Sequence, residues 1–304
     1  MNKSNLKYTL CLVLTAMIWG VAFVAQEKSV DLMGAFTFGG VRFLLGAVSL
    51  IPVIAIFERG RSDKAQRRST LFCGLATGLV LFAAVMLQQY GIELTRSAGK
   101  AGFITGMYIV FVPIAGLVMK KRATLFTWIG VAFAISGLYL LSVTDGFGSI
   151  GFGDLLLVAG AIGWTFHIIF IDRFAPRIRP LRFSLVQFTV CGALSLAGAF
   201  IFEDVRLIQL KNGIIPILYG GLLSVGVAYT LQTIGQKKVP PAKAAIIFSM
   251  EALFAALGGA LLSRERMSLR GYAGCAFIFA GILLSQIVIK RKAKAGGAEP
   301  ALEE

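Results

Sequence analysis

Three ionisable side chains sit deep inside apolar stretches of this sequence: Arg42, His167 and Glu251. A charge at the centre of a hydrocarbon layer costs roughly 2.5–3.5 kcal/mol on insertion scales, so each needs a chemical reason. Glu251 suits a proton carrier, a counter-charge to Arg42 or a ligand for an amine, and a structural Arg42–Glu251 ion pair is the plainer alternative. His167 titrates near neutral pH in water and can shuttle protons, although a lone histidine more often only satisfies hydrogen bonds. Lys100 and Lys243 lie one turn into their apolar stretches, as gate or scaffold residues long enough to snorkel to water. Gln88, Gln187 and Gln232 offer a donor and an acceptor without titrating, which suits zwitterionic or polar organic solutes. Trp19 and Trp164, flanked by Phe23 and by Phe166 and Phe170, can wall an apolar pocket or pack helices together. Pro113 and Pro52 each remove a backbone donor inside an apolar stretch, giving a hinge or a static bend.

The elements that must position these residues are transmembrane helices. Of 304 residues, 57% are hydrophobic and 15% charged, with a mean hydropathy of +0.80. Ten runs are long enough to cross about 30 Å of hydrocarbon at 1.5 Å per residue. They cover 8–26, 33–57, 70–91, 99–119, 124–143, 154–171, 183–202, 213–236, 242–262 and 271–289. The expected fold class is therefore an all-α polytopic membrane protein. Lys3 and Lys7 before an apolar run resemble a signal peptide, but that run is repeated internally around Trp164, so it reads as helix 1.

The ten runs divide into two copies of five. Ala16-Met17-Ile18-Trp19 aligns with Ala161-Ile162-Gly163-Trp164, and Leu87-Gln88-Gln89-Tyr90-Gly91 with Leu231-Gln232-Thr233-Ile234-Gly235. Lys100-Ala101 falls on Lys243-Ala244, with Met107, Phe111 and Gly116 on Met250, Phe254 and Gly259. A unit with an odd number of spans enters the membrane from opposite sides in its two copies, which gives inverted five-helix repeats over 8–143 and 154–289. Three positions share the frame but differ in chemistry, as an asymmetric solute requires: Arg42 against Gln187, His167 against Ala22, and Glu251 against Tyr108. Gly102 and Gly106 form a GxxxG, while Gly130 and Gly137 recur as Gly274 and Gly281, small residues that let helix backbones approach. The segment 290–304 reads as a disordered tail.

The formal charge of +15 follows the positive-inside rule rather than nucleic-acid binding. With both termini cytoplasmic, the inner segments hold 20 of the 30 Lys and Arg residues. The outer loops hold seven, of which Arg264, Arg266 and Arg270 run against the rule. Cys11, Cys73, Cys191 and Cys275 all lie inside apolar spans and read as packing residues, so neither a disulfide framework nor a metal site is expected. No cofactor is expected, and no GxxxxGK[ST] occurs to bind a nucleotide. The short loops leave no soluble domain for an enzyme site.

The strings Ala16-Met17-Ile18-Trp19-Gly20, Val41-Arg42-Phe43, Ser97-Ala98-Gly99-Lys100-Ala101-Gly102-Phe103-Ile104, Phe111-Val112-Pro113-Ile114 and Arg264-Glu265-Arg266 occur in this order. With ten helices in two halves, the chain resembles the EamA-type branch of the drug/metabolite transporter superfamily over residues 8–289. The resemblance implies a plasma (inner) membrane carrier of amino acids, other small metabolites or toxic analogues, often moving them outward. It implies a cavity between helices 1–4 and 6–9, with helices 5 and 10 behind it. The second half departs from the family at Val239-Pro240-Pro241-Ala242-Lys243, where a small-polar helix start is usual. Related small multidrug pumps place a glutamate in helix 1, whereas Glu27 here lies at its end. The expected function is a secondary transporter, an exporter of small organic metabolites by alternating access with protons as a candidate coupling ion. The alternatives are a passive channel or a lipid or hydrophobic-drug translocator, with an integral-membrane enzyme less supported. The expected partners are the metabolite and the bilayer, with a monomer as functional unit and a homodimer as the alternative. The candidate substrate or coupling set is Trp19, Arg42, Gln88, Tyr108, Trp164, His167, Gln187, Gln232 and Glu251, with Lys100, Pro113 and Lys243 as gate or hinge.

Overall fold

A computed structural model describes residues 3–60, 63–95, 98–121, 123–143, 150–254, 268–285 and 287, without the side chains of 3–5, 98–100, 141 and 142. The second half of predicted helix 9, Arg264 and Arg266, the Lys100 side chain and the tail from 290 lie outside this description.

Every regular element among the described residues is helical. The first repeat holds α1 (Lys3–Val30), α2 (Ala35–Phe57), α3 (Lys64–Thr95), α4 (Ala98–Gly106), α5 (Tyr108–Val118) and α6 (Leu125–Ser142). The second holds α7 (Phe152–Phe174), α8 (Pro180–Phe202), the short α9 (Leu207–Asn212), α10 (Ile214–Leu218), α11 (Thr230–Gly235), α12 (Pro241–Phe248) and α13 (Leu269–Ser285). Seven of the described helical rods are long and apolar enough to cross a membrane, and Leu125–Leu140 and Leu269–Ser285 are shorter apolar helices. α1 and α3 extend beyond the predicted spans, because their polar ends continue the helix past the apolar stretch.

The rods that the sequence treats as continuous are interrupted at matched points. Helix 4 breaks at Met107, between α4 and α5, six residues before Pro113, which sits inside α5. Helix 9 breaks at Ser249 and is helical again from Met250 to Phe254. The Ser249 hydroxyl donates back to the Ile246 carbonyl at 2.6 Å, a bond that competes with the helical ladder. A third irregularity is an 11-residue π-helix, Tyr219–Tyr229, which joins α10 to α11. Such i→i+5 turns are rare and concentrate at functional sites. Here α1 side chains bond the carbonyls of this segment: Thr15 Oγ1 donates to the Ala228 oxygen at 3.0 Å and Trp19 Nε1 to the Ser224 oxygen at 3.4 Å.

Repeat partners pack against one another head to tail. A Cβ on Gly130 would lie 2.7 Å from the Gly281 carbonyl oxygen, and one on Gly137 would lie 2.6 Å from the Gly274 oxygen. Gly130 and Gly274 are partners in the repeat, as are Gly137 and Gly281, so α6 and α13 cross antiparallel about a pseudo-two-fold axis. α2 and α8 also run antiparallel, with Gly40 against the backbone of Leu196 and Gly192 against Leu44. Lipid offers no hydrophobic drive between helices, so van der Waals contact at such crossings holds the bundle together. Of the GxxxG pair in α4, Gly106 meets Leu138 of α6, whereas a Cβ on Gly102 would meet nothing within 4 Å.

Replacing Gly137 by valine should therefore cost the α6–α13 crossing about 1–3 kcal/mol of overpacking or more. Thermal unfolding of the detergent-purified variant should fall by several degrees, while Gly102→Ala should unfold like wild type. Equal unfolding of Gly137→Val and wild type would contradict this packing.

Candidate functional site

Where α4 gives way to α5 and α12 ends, the irregular elements and the neighbouring α1, α2, α3 and α7 surround one cavity. Its volume is about 40 Å³. At ~10–15 Å³ per water this is room for about three waters. Its walls comprise Trp19, Phe23, Gln26, Arg42, Val85, Gln88, Thr105, Tyr108, Trp164, Ile168, Ser224, Tyr229, Gln232, Phe248 and Glu251.

Twelve of these 15 residues are six pairs of repeat partners. They are Trp19 with Trp164, Phe23 with Ile168, Val85 with Tyr229, Gln88 with Gln232, Thr105 with Phe248, and Tyr108 with Glu251. The cavity thus lies on the pseudo-two-fold axis, and the break in each repeat brings Tyr108 and Glu251 to it from opposite sides. These two meet directly: the Tyr108 hydroxyl donates to Glu251 Oε1 at 2.9 Å.

Of the nine residues predicted to bind or couple, seven line this cavity: Trp19, Arg42, Gln88, Tyr108, Trp164, Gln232 and Glu251. His167 and Gln187 stand behind the wall, both fully buried. They share a hydrogen bond of 3.2 Å between His167 Nε2 and Gln187 Oε1. The imidazole stands edge-on to Trp164 and Tyr229, at centroid distances of 5.6 and 6.0 Å. Lys243 is half-buried in the first turn of α12, away from the cavity lining, and Pro113 is buried within α5.

The polar groups are held by specific contacts. Trp164 Nε1 donates to Gln88 Oε1 at 2.5 Å, and Gln88 Nε2 donates to Gln26 Oε1 at 3.5 Å. Arg42, 3% exposed, has its guanidinium over the rings of Phe38 and Phe43, 4.7 and 5.2 Å from their centroids. Such cation–π contacts are worth about 2 kcal/mol when desolvated. Arg42 Nε has no hydrogen-bond partner. The ion pairs seen among the described residues are Lys121–Asp172, Arg182–Glu58 and Arg206–Asp204. Arg42 and Glu251 therefore face one cavity without pairing, and the ion pair considered from the sequence is not formed.

Tyr229 was not singled out by sequence reasoning, yet it is the aromatic centre of the site. Its ring lies 4.7 Å from Trp19, 5.8 Å from Phe43, 5.9 Å from Phe188 and 6.1 Å from Trp164. Gln26, Val85, Thr105, Ile168, Ser224 and Phe248 were also missed, whereas Phe23, read from the sequence beside Trp19, does line the cavity. The repeat itself carried the signal for most of them, since each partner pair occupies equivalent places in the two halves. On the side of the cavity facing the basic loops, Leu12, Ala16, Ile109, Val112, Val239 and Ala245 belong to one buried apolar cluster. Gln236 Nε2, bonded to the Ile168 carbonyl at 2.9 Å, ties the same region.

Leucine in place of Gln88 should leave the Trp164 indole N–H without an acceptor, at a cost of about 1–3 kcal/mol. Lower thermal stability and a shifted tryptophan emission are the expected readings, and wild-type values for both would contradict the Trp164–Gln88 bond.

Comparison with known proteins agrees with this architecture. An "Uncharacterized transporter" of Archaeoglobus fulgidus is 28% identical over 274 residues, covering 90% of this chain and 83% of the relative. The uncharacterized transporter YetK of Bacillus subtilis is 25% identical over 302 residues, covering 94% and 88%. The threonine/homoserine exporter RhtA of Escherichia coli strain K12 is 25% identical over 302 residues, covering 95% and 94%. A solved crystal structure shares the fold with a TM-score of 0.76 at 17% identity, over 92% of this chain and 97% of that one. The model of the EamA-like transporter family matches residues 6–143 and 151–287. With two copies of the family's unit spanning nearly its whole length, this chain belongs to the EamA-like transporter family.

Proposed function

We propose that this transporter exports small zwitterionic amino acids across the plasma (inner) membrane, as a monomer with its basic loops and both termini in the cytoplasm. The observation that carries this reading is the presence of Arg42 and Glu251 in one cavity, opposite in sign and unpaired. An α-amino acid brings a carboxylate for the guanidinium and an ammonium for the carboxylate, so one solute neutralises both. Gln88 and Gln232 add acceptors and donors beside them, and Trp19, Trp164 and Tyr229 supply apolar surface for the side chain. The printed function of the distant relative RhtA, threonine and homoserine export, supports the same class.

Glu251 can hold a proton or the ammonium of the solute, and it cannot satisfy both with one charge. Export therefore exchanges for protons: loading the amino acid discharges a proton, and protonation releases the amino acid. The narrow cavity means that binding moves side chains, with Trp19, Phe23 and Trp164 the half-buried walls able to give way.

A second reading rests on a lateral groove between α2, α8 and the π-helix. It has a volume of about 630 Å³ and is walled mainly by apolar residues, including Val53, Phe57, Leu222 and Val227. That groove suits a lipid or hydrophobic drug, so the test must separate the two classes.

In proteoliposomes, counterflow of labelled threonine should drop by about 30-fold or more in Arg42→Ala, following the ~2–5 kcal/mol that truncating one member of a buried charge pair costs. Glu251→Gln should abolish the dependence of flux on a pH gradient. Wild-type threonine flux in Arg42→Ala, or an unchanged pH dependence in Glu251→Gln, would remove these residues from their roles. Flux of a lipophilic dye with no amino-acid flux would favour the second reading.

A further inference from the structure

Neither α2 nor α8 caps its own N-terminus. The N-cap residues are Gly34, which has no side chain, and Arg179, whose side chain does not bond the exposed amides of the first turn. The missing acceptor comes in each case from the residue just after the other helix. Glu203, just after α8, accepts from the Phe36 and Thr37 amides of α2 at 2.7 and 2.8 Å, and from the Thr37 hydroxyl at 2.7 Å. Glu58, just after α2, accepts from the Leu181 and Arg182 amides of α8 at 3.0 and 3.4 Å. Glu58 and Glu203 are repeat partners at an offset of 145, as are Phe36 with Leu181 and Thr37 with Arg182. One arrangement is thus built twice, once at each face of the membrane.

The chemistry favours permanence. A carboxylate at a helix N-terminus meets free N–H groups and the positive end of the helix dipole, and charge-assisted bonds of this kind are the stronger class. At the basic face, Arg182 Nε lies 3.7 Å from Glu58 Oε2. Arg182 and Arg179 also donate to the Glu58 backbone oxygen at 3.1 and 3.3 Å. At the opposite face the Glu203 carboxyl fills the space that any side chain on Gly34 would need. Between the two ends the helices stay in contact through Gly40, Gly192 and Gly198, where a Cβ would strike Leu196, Leu44 and Phe36.

We propose that α2 and α8 form a seam that stays closed at both faces throughout transport, with Glu58 and Glu203 as the positioning residues that fix its register. The alternation then occurs around this seam, in the broken rods α4–α5 and α12 and in their neighbours. The seam also sets the heights of Arg42 on α2 and Gln187 on α8, equivalent places in the two repeats. This inference rests on membership of a transporter family and not on the amino-acid reading.

Two measurements test it. Residue-resolved hydrogen exchange on the wild-type protein needs no substrate. The amides of Phe36, Thr37, Leu181 and Arg182 should all be protected by about 100-fold or more, in single slow phases. Fast or two-phase exchange at either face would mean that a cap opens during cycling, and would overturn the proposal. In a background with the four native cysteines replaced by alanine, Thr37→Cys with Glu203→Cys, and Glu58→Cys with Leu181→Cys, replace each cap by a thiol pair. Without a linker, the KM for labelled threonine should rise about threefold or more, as Arg42 loses its register. A short bis-methanethiosulfonate bridge should restore KM and leave at least about half of the maximal rate. A rate that falls more than tenfold on bridging and returns on reduction would show a gate where a fixed seam is proposed. If wild type carries no threonine, the amino-acid reading fails, and the exchange measurement still decides this one.

Discussion

Taking Arg42 and Glu251 out of water costs several kcal/mol per ion unless an opposite charge and hydrogen bonds replace the lost hydration. The protein supplies only part of that replacement. Tyr108 gives Glu251 one hydrogen bond across the pseudo-two-fold axis, and the faces of Phe38 and Phe43 cradle the Arg42 guanidinium. Nothing among the described residues joins the two charges. On the reading proposed above, a site held in this way keeps residual attraction for a solute that carries both signs. A pre-formed Arg42–Glu251 pair would instead compete with the solute for both ends.

The surrounding architecture keeps those charges apart while leaving room to move. Hydrocarbon cannot satisfy a free backbone group, so broken helices are tolerated only where protein or a cavity takes up the exposed amides and carbonyls. The interruptions at Met107 and Ser249 and the π-helix of 219–229 all adjoin the cavity, and α1 side chains occupy two of the π-helix carbonyls. Two antiparallel helix pairs frame this ring, of which α2 itself brings Arg42 to the cavity. α6 packs on α13 through glycines, and α2 packs on α8 with reciprocal carboxylate caps. The irregular backbone therefore adjoins the cavity, while regular helices carry Trp19, Arg42, Gln88 and Trp164 into its wall.

Much of this was legible in the sequence, because the inverted repeat is a statement about three dimensions. The offset that aligns Trp19 with Trp164 and Gln88 with Gln232 already names pairs that must approach an axis, and both pairs line the cavity. The unmatched positions Arg42 and Glu251 stood out because burying a charge is costly wherever the fold places it. What stayed hidden has physical reasons. Tyr229 is apolar enough to look like packing, and only its partnership with Val85 gives it away. His167 and Gln187 looked like lining residues, yet they bond each other behind the wall, since a polar side chain on a helix can face the axis or a neighbouring helix with the same periodicity. Glu58 and Glu203 lie just beyond their apolar runs, where a charge needs no explanation, so their reciprocal caps appear only once α2 and α8 are seen side by side.

The central claim is that one solute bridges Arg42 and Glu251, and thermal unfolding of the purified protein against a matched ligand series tests it most directly. L-threonine carries both charges, its methyl ester keeps only the ammonium, and its N-acetyl derivative keeps only the carboxylate. A ligand at ten times its Kd adds about 1.4 kcal/mol of stability. Threonine should raise the unfolding temperature, while the ester and the N-acetyl compound, each lacking one charge, should do so weakly or not at all. Equal stabilisation by all three, or stabilisation by threonine that persists undiminished in Arg42→Ala, would contradict the claim.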